Sequence, residues 1–251
     1  MKYYLVLLPF FISVFISCDS DKGLNCFQSA GDKVEVEYDL DSFEAIVVEE
    51  RIQLLLKDGP QQRVLLKTGE NLVNDIEITV TDGVLTLYND NGCNVVRDYN
   101  ITQVEVTSPN ISQIRNASGY EIQSLNTLSW PKLELLSEDV SEEDGFHKDG
   151  DFRLALDVQE LTIIANGLSN FFLSGAAENA DITLLEGDMR FDGRNLTIQE
   201  LDIFHRGTNK VIINPQQVLR GKVLSTGNLI SVNRPPLVEV EETYTGRLIF
   251  Q

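Results

Sequence analysis

Only two histidines and three cysteines occur in the 251 residues, and no C-x-x-C pair joins any of the cysteines. That leaves little material for a transition-metal centre and none for a dithiol redox motif. Basic residues are scarce too: 20 Lys+Arg stand against 39 Asp+Glu, a formal charge of −19. A chain of that sign repels polyanions, which argues against nucleic acid and anionic membrane surfaces as partners. Long amphipathic helical patterns are lacking after residue 30, and no G-x-S-x-G, H-E-x-x-H, G-x-G-x-x-G or G-x-x-x-x-G-K-[ST] motif occurs. The common local signatures of hydrolases, zinc peptidases and nucleotide binders are therefore missing, and no cofactor is expected. Beyond the N-terminus, no apolar run approaches the 18 or so residues of a membrane-spanning helix.

What is present is an ordinary globular core: 42% hydrophobic and 8% aromatic residues, too rich for a disordered chain. The length fits one large domain or two small ones. At the N-terminus, Lys2 precedes a mostly apolar run from Tyr3 to Ile16 that contains Pro9. The run is too short for a permanent span and is interrupted by a helix breaker, so it reads as an export signal. Phe15-Ile16-Ser17-Cys18 resembles a bacterial lipobox. On that reading residues 1–17 are removed, Cys18 carries the lipid, and the polar stretch to residue 36 is a tether. The partner implied is a membrane, through the anchor. Export leaves Cys26 and Cys93 as an even pair in an oxidising compartment. Closing their 67-residue separation would stabilise the fold by about 4 kcal/mol in the chain-entropy model; the other reading is two buried free thiols.

Short apolar runs broken by turn signals fill residues 37–108: Phe43–Val48, Ile52–Leu56, Val64–Leu66, Ile76–Val80, Val84–Leu87 and Ile101–Val106. Ile76, Ile78 and Val80 alternate with Glu77 and Thr79, the period of a half-buried strand. Asp82-Gly83 between Val80 and Val84 predicts a tight hairpin. This N-terminal region is expected to be all-β.

Residues 109–251 carry a period. Gly167, Gly187, Gly207 and Gly227 are each 20 residues apart, and Gly119 and Asp139 continue the phase backwards. An eight-residue excess before Gly167 falls in the polar stretch after Asp139. Leu133/Leu135, Leu161/Ile163 and Leu201/Ile203 recur at matching offsets from the markers, whereas the Gly187 unit is slipped by one, with Ile182 and Leu184. Two strand runs per unit of about 20 residues predict an all-β, right-handed parallel β-helix or solenoid-like stack, with the N-terminal β region packed on it or continuing it. The recurring glycines are expected at coil turns.

These carriers resemble a known family: Phe43-Glu44-Ala45-Ile46-Val47-Val48, Gly69-Glu70-Asn71-Leu72, Asp82-Gly83-Val84-Leu85-Thr86-Leu87-Tyr88-Asn89, Asn91-Gly92-Cys93-Asn94-Val95-Val96-Arg97 and Thr245-Gly246-Arg247-Leu248-Ile249. They are similar to bacterial envelope proteins described as putative auto-transporter adhesins with a head GIN domain. The resemblance implies a right-handed β-helix-like fold in exported proteins of Gram-negative bacteria, often lipoproteins, and a recurring Cys26/Cys93 pair. It places the chain in the cell envelope, at the outer membrane, with an unknown protein or glycan ligand.

Few side chains invite chemistry. His205, beside Arg206, reads as a surface or edge histidine, and His147 as solvated. The acidic insertion 141–151, with Glu142, Glu143, Asp144, Asp149 and Asp151, lacks the spacing of a calcium loop. Asp181, Asp188, Asp192, Arg190 and Arg194 could share one face, as a carbohydrate-active site would require. Phe171, Phe172 and Phe191 read as core. The expectation is a lipid-anchored, non-enzymatic binding or structural module; the alternative is a carbohydrate-active β-helix enzyme or a glycan-binding protein.

Overall fold

The computed structural model describes residues 28–91, 98, 101–139 and 147–251. Cys18, Cys26 and Cys93, and with them the expected lipidation and disulfide, lie outside the described residues, as do Glu142, Glu143 and Asp144 of the acidic insertion.

The described chain is all-β apart from one short 3-10 segment, Glu70–Asp75. In chain order the strands are β1 (Lys33–Tyr38), β2 (Ala45–Glu49), β3 (Gln53–Asp58), β4 (Arg63–Gly69), β5 (Ile76–Thr81), β6 (Val84–Asn89), β7 (Gln103–Ser108), β8 (Gln113–Ala117), β9 (Ile122–Ser124) and β10 (Lys132–Ser137). They continue with β11 (Phe152–Gly167), β12 (Phe171–Gly187), β13 (Phe191–His205), β14 (Val211–Ile213), β15 (Pro215–Val223), β16 (Leu229–Ser231), β17 (Leu237–Glu242) and β18 (Leu248–Phe250). Each apolar run of the N-terminal half lies on or overlaps a strand. The Asp82-Gly83 hairpin joins β5 and β6 antiparallel, with φ of 51° and 78° at its two central residues; both signs are those a two-residue primed turn demands. The polar stretch assigned as tether to residue 36 reaches into the fold, because Lys33–Val36 already pair with β4.

All 18 strands belong to one continuous sheet, curled because its three longest members bend. In β11, Phe152, Leu154, Leu156 and Val158 point inward, then Gln159 and Glu160 are both exposed, then Leu161, Ile163 and Ala165 point inward. Two outward residues in succession reset the alternation, so the strand turns a corner and its halves join different ladders. The first ladder runs β5–β6–β2–β8–β10, then the second halves of β11, β12 and β13, then β15–β17. The second runs β1–β4–β7–β3–β9, then the first halves of the same three strands, then β14–β16–β18. Pairing is parallel except for β5–β6, β1–β4 and β4–β7, all at the N-terminal end.

Register converts the sequence period into columns. Leu85, Ile46, Ile114, Leu135, Ile163, Ile182 and Ile203 face one another across successive strands of the first ladder. In the second, Leu66, Val104, Leu54, Ile122, Phe152, Phe171, Phe191, Val211 and Leu229 do the same. All these side chains are buried and belong to one apolar cluster. Phe152 and Phe171 stack with centroids 4.8 Å apart and planes 6° apart; Phe191 continues the row at 6.3 Å. The one-residue slip of the Gly187 unit is taken up by a bulge between the pairs Ala165↔Leu184 and Gly167↔Gly187. At Gly187 φ is 105°, and a Cβ would sit 2.1 Å from the carbonyl oxygen of Gly167, so backbone passes over backbone there. Gly119 differs: a Cβ would meet nothing closer than 3.5 Å.

Candidate ligand-binding face

The inward phenylalanines of the second ladder fix what their neighbours do. Each residue after an inward one faces out, so Arg153, Phe172 and Asp192, in mutual register, form a row on the outer face, extended by Gln123 of β9. The next outward row is Ala155, Ser174 and Asn195. Together they line a shallow depression of about 370 Å3.

Phe172 faces outward in this row. Read from sequence as core, it is only half-buried and carries the guanidinium carbon of Arg153 at 4.5 Å and that of Arg190 at 5.6 Å from its ring centroid. Two adjacent phenylalanines on a strand cannot both face inward, and only Phe171 holds the column with Phe152 and Phe191. Arg153 is also tied to Glu121 (Nε to Oε2, 3.1 Å). Asp192 accepts from Arg190 (2.7 Å) and, through both oxygens, from Arg194 (2.7 and 2.9 Å). Burial pushes the Asp192 carboxyl up, but the guanidiniums of Arg194 and Arg190 outweigh it and hold the group below the usual carboxylate range.

The five residues grouped by sequence are therefore divided. Arg190, Asp192 and Arg194 meet. Asp181 lies on the first ladder, in the outward row Thr162, Asp181, Asp202 and Arg220. Asp188 follows β12 and accepts from the hydroxyl of Thr208 at 2.7 Å. Among the described residues no group of three or more His, Cys, Asp or Glu side chains is placed to hold a metal ion. In the described part of the insertion, Asp151 Oδ1 accepts from the backbone and side-chain nitrogens of Asn170 at 2.8 and 2.9 Å, which ties one turn to the next.

His205 is also not where the sequence reading put it. It is fully buried, between Leu184 and Val223 in the inward column, and neither ring nitrogen has a hydrogen-bond partner among the described residues. The signal was available: Leu201, Ile203 and His205 share one parity. Burial holds its pKa below the ordinary histidine value, against the opposing influence of the Asn209 and Gly227 backbone. His147, half exposed, sits 3.2 Å from Glu50.

Comparison with known proteins adds the lineage. No curated protein matches the sequence. A crystal structure of a putative adhesin from Bacteroides fragilis is similar in fold, with a TM-score of 0.78 and 17% identity over 89% of this chain and 99% of that one. A putative adhesin from Parabacteroides merdae gives 0.61 and 16% (88% and 97%), and a putative lipid binding protein from Parabacteroides distasonis gives 0.62 and 10% (88% and 97%). At such identities the likeness speaks for fold alone. The family described as "putative auto-transporter adhesin, head GIN domain" matches residues 42–235, and to that family the chain belongs.

Proposed function

We propose that the chain is a non-enzymatic, adhesin-type binding module of the bacterial envelope, held at the outer membrane by lipid on Cys18, with a right-handed parallel β-helix as its body. In-register parallel ladders with a period near 20 residues support the β-helix, and the antiparallel strands at the N-terminal end act as its cap. Family membership supports adhesion. The lipobox-like Phe15-Ile16-Ser17-Cys18 supports the anchor.

The observation that carries the non-enzymatic reading is the state of Asp192. Glycoside hydrolysis needs a protonated carboxylic acid and a second carboxylate about 5–9.5 Å away. Asp192 is instead clamped by two guanidiniums that keep it ionised, and its ladder neighbours are Phe172 and Ile212. An ionised Asp192 offers no proton for that reaction, which supports a binding role for the face.

Anchoring is tested by fractionating cells that express the full chain or its Cys18→Ala variant. The parent chain is expected in the membrane fraction and the variant in the soluble one. The same distribution for both would remove the lipoprotein part of the reading.

A further inference from the structure

In a chain of formal charge −19, two guanidiniums, Arg153 and Arg190, lie against Phe172 and a third, Arg194, holds the neighbouring Asp192; among the described residues their donors are only partly used. Arg153 reaches Glu121 through Nε alone, and half of its side chain is exposed. Arg194 gives Nε and one terminal nitrogen to Asp192, which leaves the second terminal nitrogen uncommitted among the described residues. Arg190 Nε is buried without a hydrogen-bond partner among the described residues. Against three guanidiniums stand two carboxylates, Glu121 and Asp192, so the cluster keeps one positive charge.

The same depression is lined by Gln123, Ser174 and Asn195, whose side chains make no hydrogen bond among the described residues. Each amide offers a carbonyl acceptor and two N–H donors, and the hydroxyl both donates and accepts. That pairing of functions matches a sugar hydroxyl, itself donor and acceptor. A guanidinium edge matches a planar carboxylate in bidentate fashion. A volume of about 370 Å3 falls at the small end of ligand sites.

We propose that this face binds a saccharide bearing a carboxylate, a uronic-acid type of glycan, with Arg153 and Arg194 taking the carboxylate and Gln123, Ser174 and Asn195 taking ring hydroxyls. A single surplus positive charge suits a monoanion better than a phosphate dianion. The Phe172 ring already has two guanidiniums against it, so it offers little to an apolar peptide side chain. The inference rests on the reading of the chain as a binding module and names its ligand class.

The test is calorimetric titration of the purified full chain with trigalacturonate, with its fully methyl-esterified counterpart, and with a hyaluronan tetrasaccharide. At least one of the two acidic probes is expected to bind. Trigalacturonate, if bound, should exceed its ester at least tenfold in affinity. Arg153→Gln should weaken the acidic probe at least tenfold. Asn195→Ala, which breaks no internal hydrogen bond, should weaken it several-fold with an unchanged melting temperature. Arg220→Gln, on the other ladder, should leave binding untouched. No heat with either acidic probe, equal affinity for acid and ester, or full affinity in both the Arg153 and Asn195 variants would overturn the proposal. Membrane fractionation of Cys18→Ala reads the anchor without any glycan, so each idea can fail alone.

Discussion

Phe171 and Phe172 are adjacent in sequence and opposite in environment, which makes them a matched pair. Phe171 is fully buried, stacked on Phe152 at 4.8 Å and followed by Phe191 at 6.3 Å. Truncation to alanine removes a buried ring from the middle of a column, where the backbone ladders on both sides prevent collapse. Core Phe→Ala changes cost about 3–5 kcal/mol, and the rigid setting puts Phe171→Ala at the upper end, about 4–5 kcal/mol. That is a large share of the roughly 5–15 kcal/mol that separates folded from unfolded chains. Phe172→Ala loses a half-buried ring and two cation–π contacts of roughly 0.5–1 kcal/mol each, so about 1–2 kcal/mol is expected. Urea unfolding of both variants, followed by fluorescence and circular dichroism, reads the difference from the midpoints at constant m. Equal losses, or a larger one for Phe172→Ala, would refute the assignment of inside and outside on which the candidate face depends.

Three further outcomes are expected. His205 has a lowered folded pKa, so the unfolded chain binds its proton first: its contribution is present above about pH 6.5 and is lost as pH falls below that value toward the folded pKa, by at most about 1.4 kcal/mol per pH unit. Stability curves of the parent chain and His205→Leu should therefore diverge between pH 7.5 and 5.5, and parallel curves would contradict the buried, unpartnered ring. Gly187→Ala should abolish soluble expression or unfold the protein at ambient temperature, because its Cβ would meet a carbonyl oxygen at 2.1 Å, whereas Gly83→Ala, with φ of 78° but open space around it, should cost only about 1 kcal/mol; similar melting temperatures would discredit the close backbone crossing. Nonreducing peptide mapping of exported protein should recover Cys26 linked to Cys93, and two free thiols would dismiss the pairing.

Much of the fold is legible because successive parallel strands of the C-terminal half pair residues at a nearly constant offset. Phe152, Phe171 and Phe191 lie 19 and 20 residues apart, and the slip at Gly187 announces the bulge that the ladder contains. The same offset identifies Phe171 as the inward member of its pair, so Phe172 was readable from parity and was obscured by hydrophobicity alone. Less legible was the N-terminal half, where β2 lies between β6 and β8. Ala45 pairs with Val84 and Gln113, and no repeat length links those positions. The corner inside β11 is marked only by two successive polar residues, which a loop would also show. The candidate face combined both kinds of signal: Arg190, Asp192 and Arg194 are close in sequence, while Gln123 and Arg153 reach them only through registry.

The interleaving of β2 and β3 among later strands also sets an order of assembly. Those two segments have no parallel neighbours until residues 84–124 have emerged, so everything from Ala45 to Ser124 must close as one non-local event, the slow kind. From β10 onward each new turn of chain finds a finished template immediately behind it. Synthesis from the N-terminus would thus complete a foundation first and then add further strands one at a time. Shortening the protein from its C-terminal end should lower stability in small steps, whereas damage before residue 124 should prevent construction altogether.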